Sequence, residues 1–155
     1  MRIVRILLLV ALVAVVLLVI AAPIGPVPGV FIGGAPTEAP AQWPDTSSVD
    51  EIRLRVPGVL PRVVIIWVIE YGGDLNVVGA SDSGWVRMIG TGSPVDMRLG
   101  DETYALEAVP ITEDWEPVLN AYVEKYRADY PEIIAGFPEI EEARGQVAVF
   151  RLERG

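Results

Sequence analysis

The residues from Arg62 to Pro110 leave the chain few folds to choose from. They read RVVIIWVIEYGGDLNVVGASDSGWVRMIGTGSPVDMRLGDETYALEAVP. Val63–Ile69 is an unbroken apolar run, too short to cross a bilayer as a helix and dominated by β-branched residues that suit a pleated strand. It predicts a central strand over Arg62–Tyr71, buried on both faces. Gly72-Gly73-Asp74 supplies a hairpin turn, and Leu75–Ala80 returns beside the first strand. Pro94–Leu99 sets Val95, Met97 and Leu99 against Asp96 and Arg98. After the turn Gly100-Asp101-Glu102, Thr103–Val109 sets Tyr104, Leu106 and Ala108 against Thr103, Ala105 and Glu107. That alternation predicts a second hairpin with one wet face. An ordered loop, Ser81–Gly90, joins the two hairpins.

The flanking sequence completes a barrel. Val49–Val56 alternates Ile52, Leu54 and Val56 against Arg53 and Arg55, a half-buried strand, and Pro57-Gly58 turns the chain. Beyond the hairpins the period changes. Trp115, Val118, Leu119, Tyr122, Val123 and Tyr126 fall on one helical stripe, predicting an amphipathic helix over Thr112–Tyr126 with Thr112 as its cap. Pro131–Ala135 and Pro138–Ala143 read as short helical turns and Val147–Leu152 as a closing strand. Strands do not alternate with crossover helices, so a doubly wound sheet is excluded. The expected fold is mainly β (β+α): a six-stranded antiparallel split β-barrel with one packing helix.

The N-terminus belongs to a different solvent. Ile6–Ala22 is a run of 17 apolar residues, preceded by Arg2 and Arg5, with no further basic residue before Arg53. With its apolar flanks the run is long enough for a bilayer core. The charge bias puts the N-terminus in the cytoplasm and the rest of the chain outside. A cleaved signal peptide ending near Ala22 is the competing reading, against which Pro23 stands. The expected organisation is a transmembrane signal-anchor over 1–22, a Pro/Gly-rich linker over 23–48 and a barrel domain over 49–155. The linker's Phe31 and Trp43 suit a membrane interface or the domain edge alike. The expected location is the inner or cytoplasmic membrane, single-pass, with the domain periplasmic or otherwise extracytoplasmic.

Composition narrows the chemistry. The exported part holds ten basic and 21 acidic residues, a net −11, which repels phosphate backbones and argues against a nucleic-acid partner. With no His and no Cys, Ser-His-Asp triads, thiol nucleophiles and the usual zinc sites are excluded, and no disulfide or lipid-modified Cys exists. No metal site is expected, although Glu139, Glu141 and Glu142 form an acidic cluster whose simpler reading is a solvated turn. Tyr122, Tyr126 and Tyr130 suit core and rim better than redox chemistry.

The series GGDLNVVGASDSGWVRMIGTGSPVDMRLGDETYALEAVPI resembles the split β-barrel flavin-binding proteins, especially the branch of deazaflavin-dependent nitroreductases. Trp85 matches that branch's helix-core Trp. Pro94, Val95, Met97, Tyr104, Leu106 and Ala108 match its second hairpin, and Val147–Leu152 its last strand. The resemblance covers roughly 62–153. Val86 and Met88 stand where the branch has Tyr and Asn. Val56-Pro57-Gly58-Val59-Leu60-Pro61-Arg62 replaces its Gly-Arg-x-Ser-Gly phosphate-gripping segment. The resemblance implies a flavin or deazaflavin cofactor, oxidoreductase activity of the nitroreductase type and a homodimer.

The residues themselves place the site in the loop. Ser81 and Ser83 offer hydroxyls, Trp85 a flat face, Arg87 a charge for phosphate or carboxylate, and Arg62 stands at the start of the central strand nearby. Against this, Asp82 or Ser83 caps a short helix, Trp85 is core and Arg87 pairs with a carboxylate. Two functions stay open. One is an exported, membrane-anchored barrel that binds a flat anionic cofactor or small-molecule ligand at Ser81–Arg87, with catalytic residues unassigned. The other is a non-catalytic tethered binding or accessory module that keeps the barrel without the site.

Overall fold

A computed structural model describes residues 2–21 and 28–155. Helix α1 runs Arg2–Ala21, as the apolar run predicts. Its side chains are described over residues 4–16 and are exposed throughout. Among the described residues no helix is long and apolar enough to cross a membrane. The expected span over 1–22, the cleavage site at its end and the first part of the linker reach into residues outside the described ones.

The strands are β1 (Ala35–Thr37), β2 (Glu51–Val56), β3 (Arg62–Tyr71), β4 (Asp74–Ala80), β5 (Ser93–Leu99), β6 (Glu102–Pro110) and β7 (Val147–Arg154). Their order is β1-β6-β5-β2-β3-β4-β7, and a β6–β7 pairing closes the last six into an antiparallel barrel. Two strands divide their partners, which is what splits it. The first half of β3 pairs with β2, from Val56↔Arg62 to Glu51↔Trp67, and its second half with β4, from Val68↔Val77 to Tyr71↔Asp74. On the edge of β6 away from β5, β1 takes Glu102–Tyr104 in parallel and β7 takes Leu106–Pro110.

The alternation read from the sequence fills the interior. Ile52, Leu54, Val56, Val68, Leu75, Val77, Val95, Met97, Tyr104, Leu106, Ala108, Phe150 and Leu152 share one buried cluster. Each large aliphatic side chain removed from water there contributes about 1.5–3 kcal/mol. β3 is less enclosed than its apolar run suggests. Val63, Val68 and Ile69 are buried, but Glu70 and Tyr71 are exposed and the residues between are half-buried. Its outer face is covered only where a helix lies on it.

That helix is α3 (Glu116–Arg127), which packs Val118, Leu119, Tyr122 and Tyr126 against Ile69, Val78 and Val149. It starts four residues later than expected. Asp114 has φ 53°, a left-handed conformation that breaks the helical path, so Thr112 caps nothing and Pro117 falls in the first turn, where its missing N–H costs no bond. Two α3 side chains repair the seam where β3 changes partner. The Tyr126 hydroxyl accepts from the Val68 N–H (3.0 Å) and sits 2.6 and 2.8 Å from the Val68 and Asp50 carbonyls. The Lys125 ammonium donates to the Thr46, Val49 and Val68 carbonyls at 3.2, 2.7 and 2.9 Å. The Val68 N–H also donates to the Asp50 carbonyl at 3.3 Å, so the two side chains add partners to backbone groups at the split. Short helices α4 (Pro131–Ile134) and α5 (Ile140–Ala143) follow, close to their expected turns.

Residues 28–48, read from the sequence as a spacer, lie against the barrel. Gly29 exchanges two backbone hydrogen bonds with Val63, at 2.9 and 2.8 Å. Trp43 is buried edge-on to Tyr104, ring centroids 5.2 Å apart. Arg154 lies over the Trp43 ring and donates to the Pro40 carbonyl at 2.8 Å. Of the two aromatics suited to an interface, Trp43 is therefore in the core, whereas Phe31 is 65% exposed.

Candidate functional site

The loop joining the hairpins folds as a six-residue helix, α2 (Gly84–Ile89), which plugs one end of the barrel with Trp85, Val86 and Ile89. Position 79 makes this possible. A β-carbon on Gly79 would stand 2.2 Å from Trp85 Cζ2 and 2.9 Å from Val86 Cγ2, so only glycine lets α2 lie this close to β4. Trp85 is 7% exposed and tilts against Phe150 at 5.9 Å. The indole thus packs into the barrel and offers no free face for stacking.

Arg62 opens β3 opposite Val56 and reaches across to the start of α2. A β-carbon on Gly84 would meet Arg62 Nη1 at 2.6 Å and Cζ at 3.1 Å. The guanidinium therefore lies on the bare backbone of Gly84, directly after Ser83. Ser83 occupies the cap position of α2, yet its hydroxyl makes no capping bond. Its backbone does the work instead: its N–H donates to the Ala80 carbonyl (2.9 Å) and its carbonyl accepts from Arg87 (3.1 Å). Among the described residues three buried side-chain polar atoms lack a partner, and two of them are Arg62 Nε and Ser83 Oγ. An unmet buried donor costs about 1–3 kcal/mol, so each of the two calls for an explanation beyond packing.

The other expected site residues are placed differently. Ser81 is half-buried, its N–H given to the Gln146 carbonyl at 2.9 Å. Arg87 is exposed on the solvent side of α2 and forms no ion pair among the described residues. The structure brings Arg62 to Ser83 and leaves Trp85 behind them in the core. Gly79 and Gly84 were not singled out in the sequence. Their only signal there was a glycine inside a strand pattern, which marks a close approach, and a glycine after a capping residue.

Other groups serve the framework. Trp67 stacks on Tyr126 at 4.3 Å and 15°, with Tyr130 at 4.7 Å. The Tyr130 hydroxyl donates to Asp50 at 2.8 Å, which raises its pKa. Burial raises the Tyr122 pKa and is the largest cause of the upward shift at Tyr126. Desolvation lowers that of Lys125 against the pull of Asp50. Among the described residues no three acidic side chains gather into a metal-holding group.

No family model matches the sequence, and no curated protein matches it. Solved structures match its fold. An FAD and heme binding protein from Mycobacterium smegmatis superposes with TM-score 0.52 at 14% identity, over 70% of this chain and 62% of its own. The chain thus spans under two thirds of that protein's length. A general stress family protein from Xanthomonas campestris pv. campestris superposes with TM-score 0.50 at 18% identity, over 70% of this chain and 75% of its own. At these identities the likeness establishes the split β-barrel fold.

Proposed function

We propose that the protein is a membrane-tethered split-barrel domain that binds a flat, anionic cofactor of the flavin or deazaflavin kind at the corner formed by Arg62, Ser83 and Gly84. The observation that carries this reading is that two buried donors, Arg62 Nε and Ser83 Oγ, lack partners while the Arg62 guanidinium lies on the backbone of Gly84, the residue after Ser83. Shared fold with an FAD and heme binding protein supports it. The guanidinium presents a fork suited to two oxygens of a phosphate or carboxylate. The Ser83 hydroxyl donates a third bond, and Arg87 adds positive field from the solvent side. Trp85 and Gly79 act indirectly by fixing α2, and so Ser83, against the barrel. A bound flavin-like group would supply the electron or hydride chemistry that a chain without His or Cys cannot supply itself. The tether is α1, placing the domain outside the cell's inner membrane.

One observation favours the accessory-module reading. Val86, standing where the resembled branch has Tyr, is 6% exposed and packs inward, so that position adds no hydroxyl to the corner. Flavin mononucleotide titrated into the detergent-solubilised chain separates the two. The cofactor reading expects saturable binding, weakened about 10- to 100-fold in Arg62→Gln, the span of a charged hydrogen bond worth about 1.5–3 kcal/mol, and less in Ser83→Ala. Binding that is absent, or indifferent to both substitutions, leaves the accessory module.

A further inference from the structure

The β2–β3 hairpin ends in Pro57-Gly58-Val59-Leu60-Pro61, and its two large residues face solvent. Val59 is 108% exposed and Leu60 73%. Elsewhere in the barrel apolar side chains of this size are largely enclosed, and in the hairpin tip itself no charged residue dilutes the pair. Two prolines and the Val56↔Arg62 pairing hold the tip in place. Below it, Met88 Cε would lie 3.0 Å from a β-carbon on Gly58, so α2 backs the hairpin. The tip is therefore a braced apolar finger, and the fold has no internal use for it.

The path of the chain says what it meets. α1 ends at Ala21 and the barrel takes hold of the chain at Gly29, through its two bonds to Val63. The residues from Ala21 to Pro28 span at most about 25 Å even if fully extended. Val63 is three residues from Leu60, within about 10 Å along the strand. The entry point of the chain and the apolar finger thus share one end of the barrel, and the apolar α1 cannot be far from either. The domain's net charge, −11 after Pro36, is unsuited to an anionic lipid surface, so contact there must be apolar.

We infer that the Val59–Leu60 hairpin tip inserts into the lipid surface from which α1 emerges, docking the barrel on the bilayer instead of leaving it on a free tether. This rests on the membrane-tethered reading of α1. Docked in this way, Arg62, at the base of the finger, and Ser83 sit at the lipid–water boundary.

The chain has no Cys, so a single introduced thiol carries a fluorophore unambiguously. Full-length Val59→Cys and Glu70→Cys, each labelled with a polarity-sensitive dye, are reconstituted in phosphatidylcholine vesicles with and without spin-labelled lipid. Glu70 is exposed near the far end of β3, about 26 Å from Arg62 at 3.3 Å per residue. The inference expects the label at 59 to shift to shorter wavelength and to be quenched several-fold more than the label at 70. Equal, weak quenching at both sites in a chain that floats with the vesicles overturns the docking and leaves the anchor standing. A chain that does not float with vesicles overturns both.

Discussion

Gly79→Ala tests whether the candidate corner is built as described. The φ of Gly79 lies outside the left-handed region, so alanine meets no backbone penalty there, and in a strand it gains about 0.5–1 kcal/mol over glycine. The cost is steric. The new β-carbon would stand 2.2 Å from Trp85 Cζ2, 3.0 Å from its Cε2 and 2.9 Å from Val86 Cγ2. No real contact is that short, and Trp85 also packs against Phe150. Either α2 moves off β4 or the indole leaves its rotamer. Overpacking of this kind costs about 1–3 kcal/mol; a contact of 2.2 Å belongs to the upper part of that range, about 2–3 kcal/mol, leaving a net loss of about 1–2.5 kcal/mol. For a domain of this size that lowers Tm by about 4–10 °C, read by circular dichroism on the solubilised chain. Trp85→Phe removes the ring that carries Cζ2. In the Gly79→Ala background it should therefore restore stability, with a coupling of about 1 kcal/mol or more in a double-mutant cycle. An unchanged or higher Tm for Gly79→Ala, or additive effects, would mean that Trp85 is not packed on β4. The indole would then be free to meet a ligand, and the assignment of the site to Arg62 and Ser83 would be wrong.

Tyr126→Phe removes the hydroxyl that pairs Val68 where β3 changes partner. It should cost about 1–3 kcal/mol in urea unfolding and speed amide exchange at Val68; unchanged exchange there would show the seam needs no such support. Tyr104 donates to Glu102 at 2.5 Å, and that bond, with burial second, raises its pKa from 10.0 to about 12. The fold favours the neutral phenol, so this contribution is complete below pH 10 and lost as pH rises through about 12. Several tyrosines are shifted upward, so the Tyr104 phenolate is read as the difference between wild type and Tyr104→Phe, which should show one phenol ionising near pH 12 and should lose its share of the pH dependence of stability. A Tyr104 that ionises near 10 would refute the bond.

The barrel was legible because its strands alternate cleanly. Ile52, Leu54 and Val56 against Arg53 and Arg55, and Tyr104, Leu106 and Ala108 against their polar neighbours, fix both face and register. β1 was not legible: Ala35-Pro36-Thr37 has no alternation, and its pairing depends on β6 having a free half-edge. The linker looked like a spacer because prolines dominate it, whereas its attachment rests on Arg154, over a hundred residues away, lying across Trp43. The start of α3 was misplaced because Thr112 and the acidic residues after it imitate a cap, and the backbone conformation of Asp114 leaves no mark in the sequence. At the candidate site, the sequence singled out the loop that folds as α2. It could not tell that Trp85 turns inward while Arg62 crosses to Ser83, since that depends on the bare backbone of Gly79 and Gly84.

The most direct test of cofactor binding is the thermal stability of the solubilised chain, with and without flavin mononucleotide and a deazaflavin, alongside the visible absorbance of the protein as purified. A ligand that binds only the native state raises Tm, by about 2.7 kcal/mol of stability at 100 times its Kd. Cofactor binding at Arg62 and Ser83 predicts a visible flavin-type band or a clear rise in Tm with one of these compounds, lost in Arg62→Gln and kept in Arg87→Gln at reduced affinity. A colourless protein whose Tm none of them moves would contradict it.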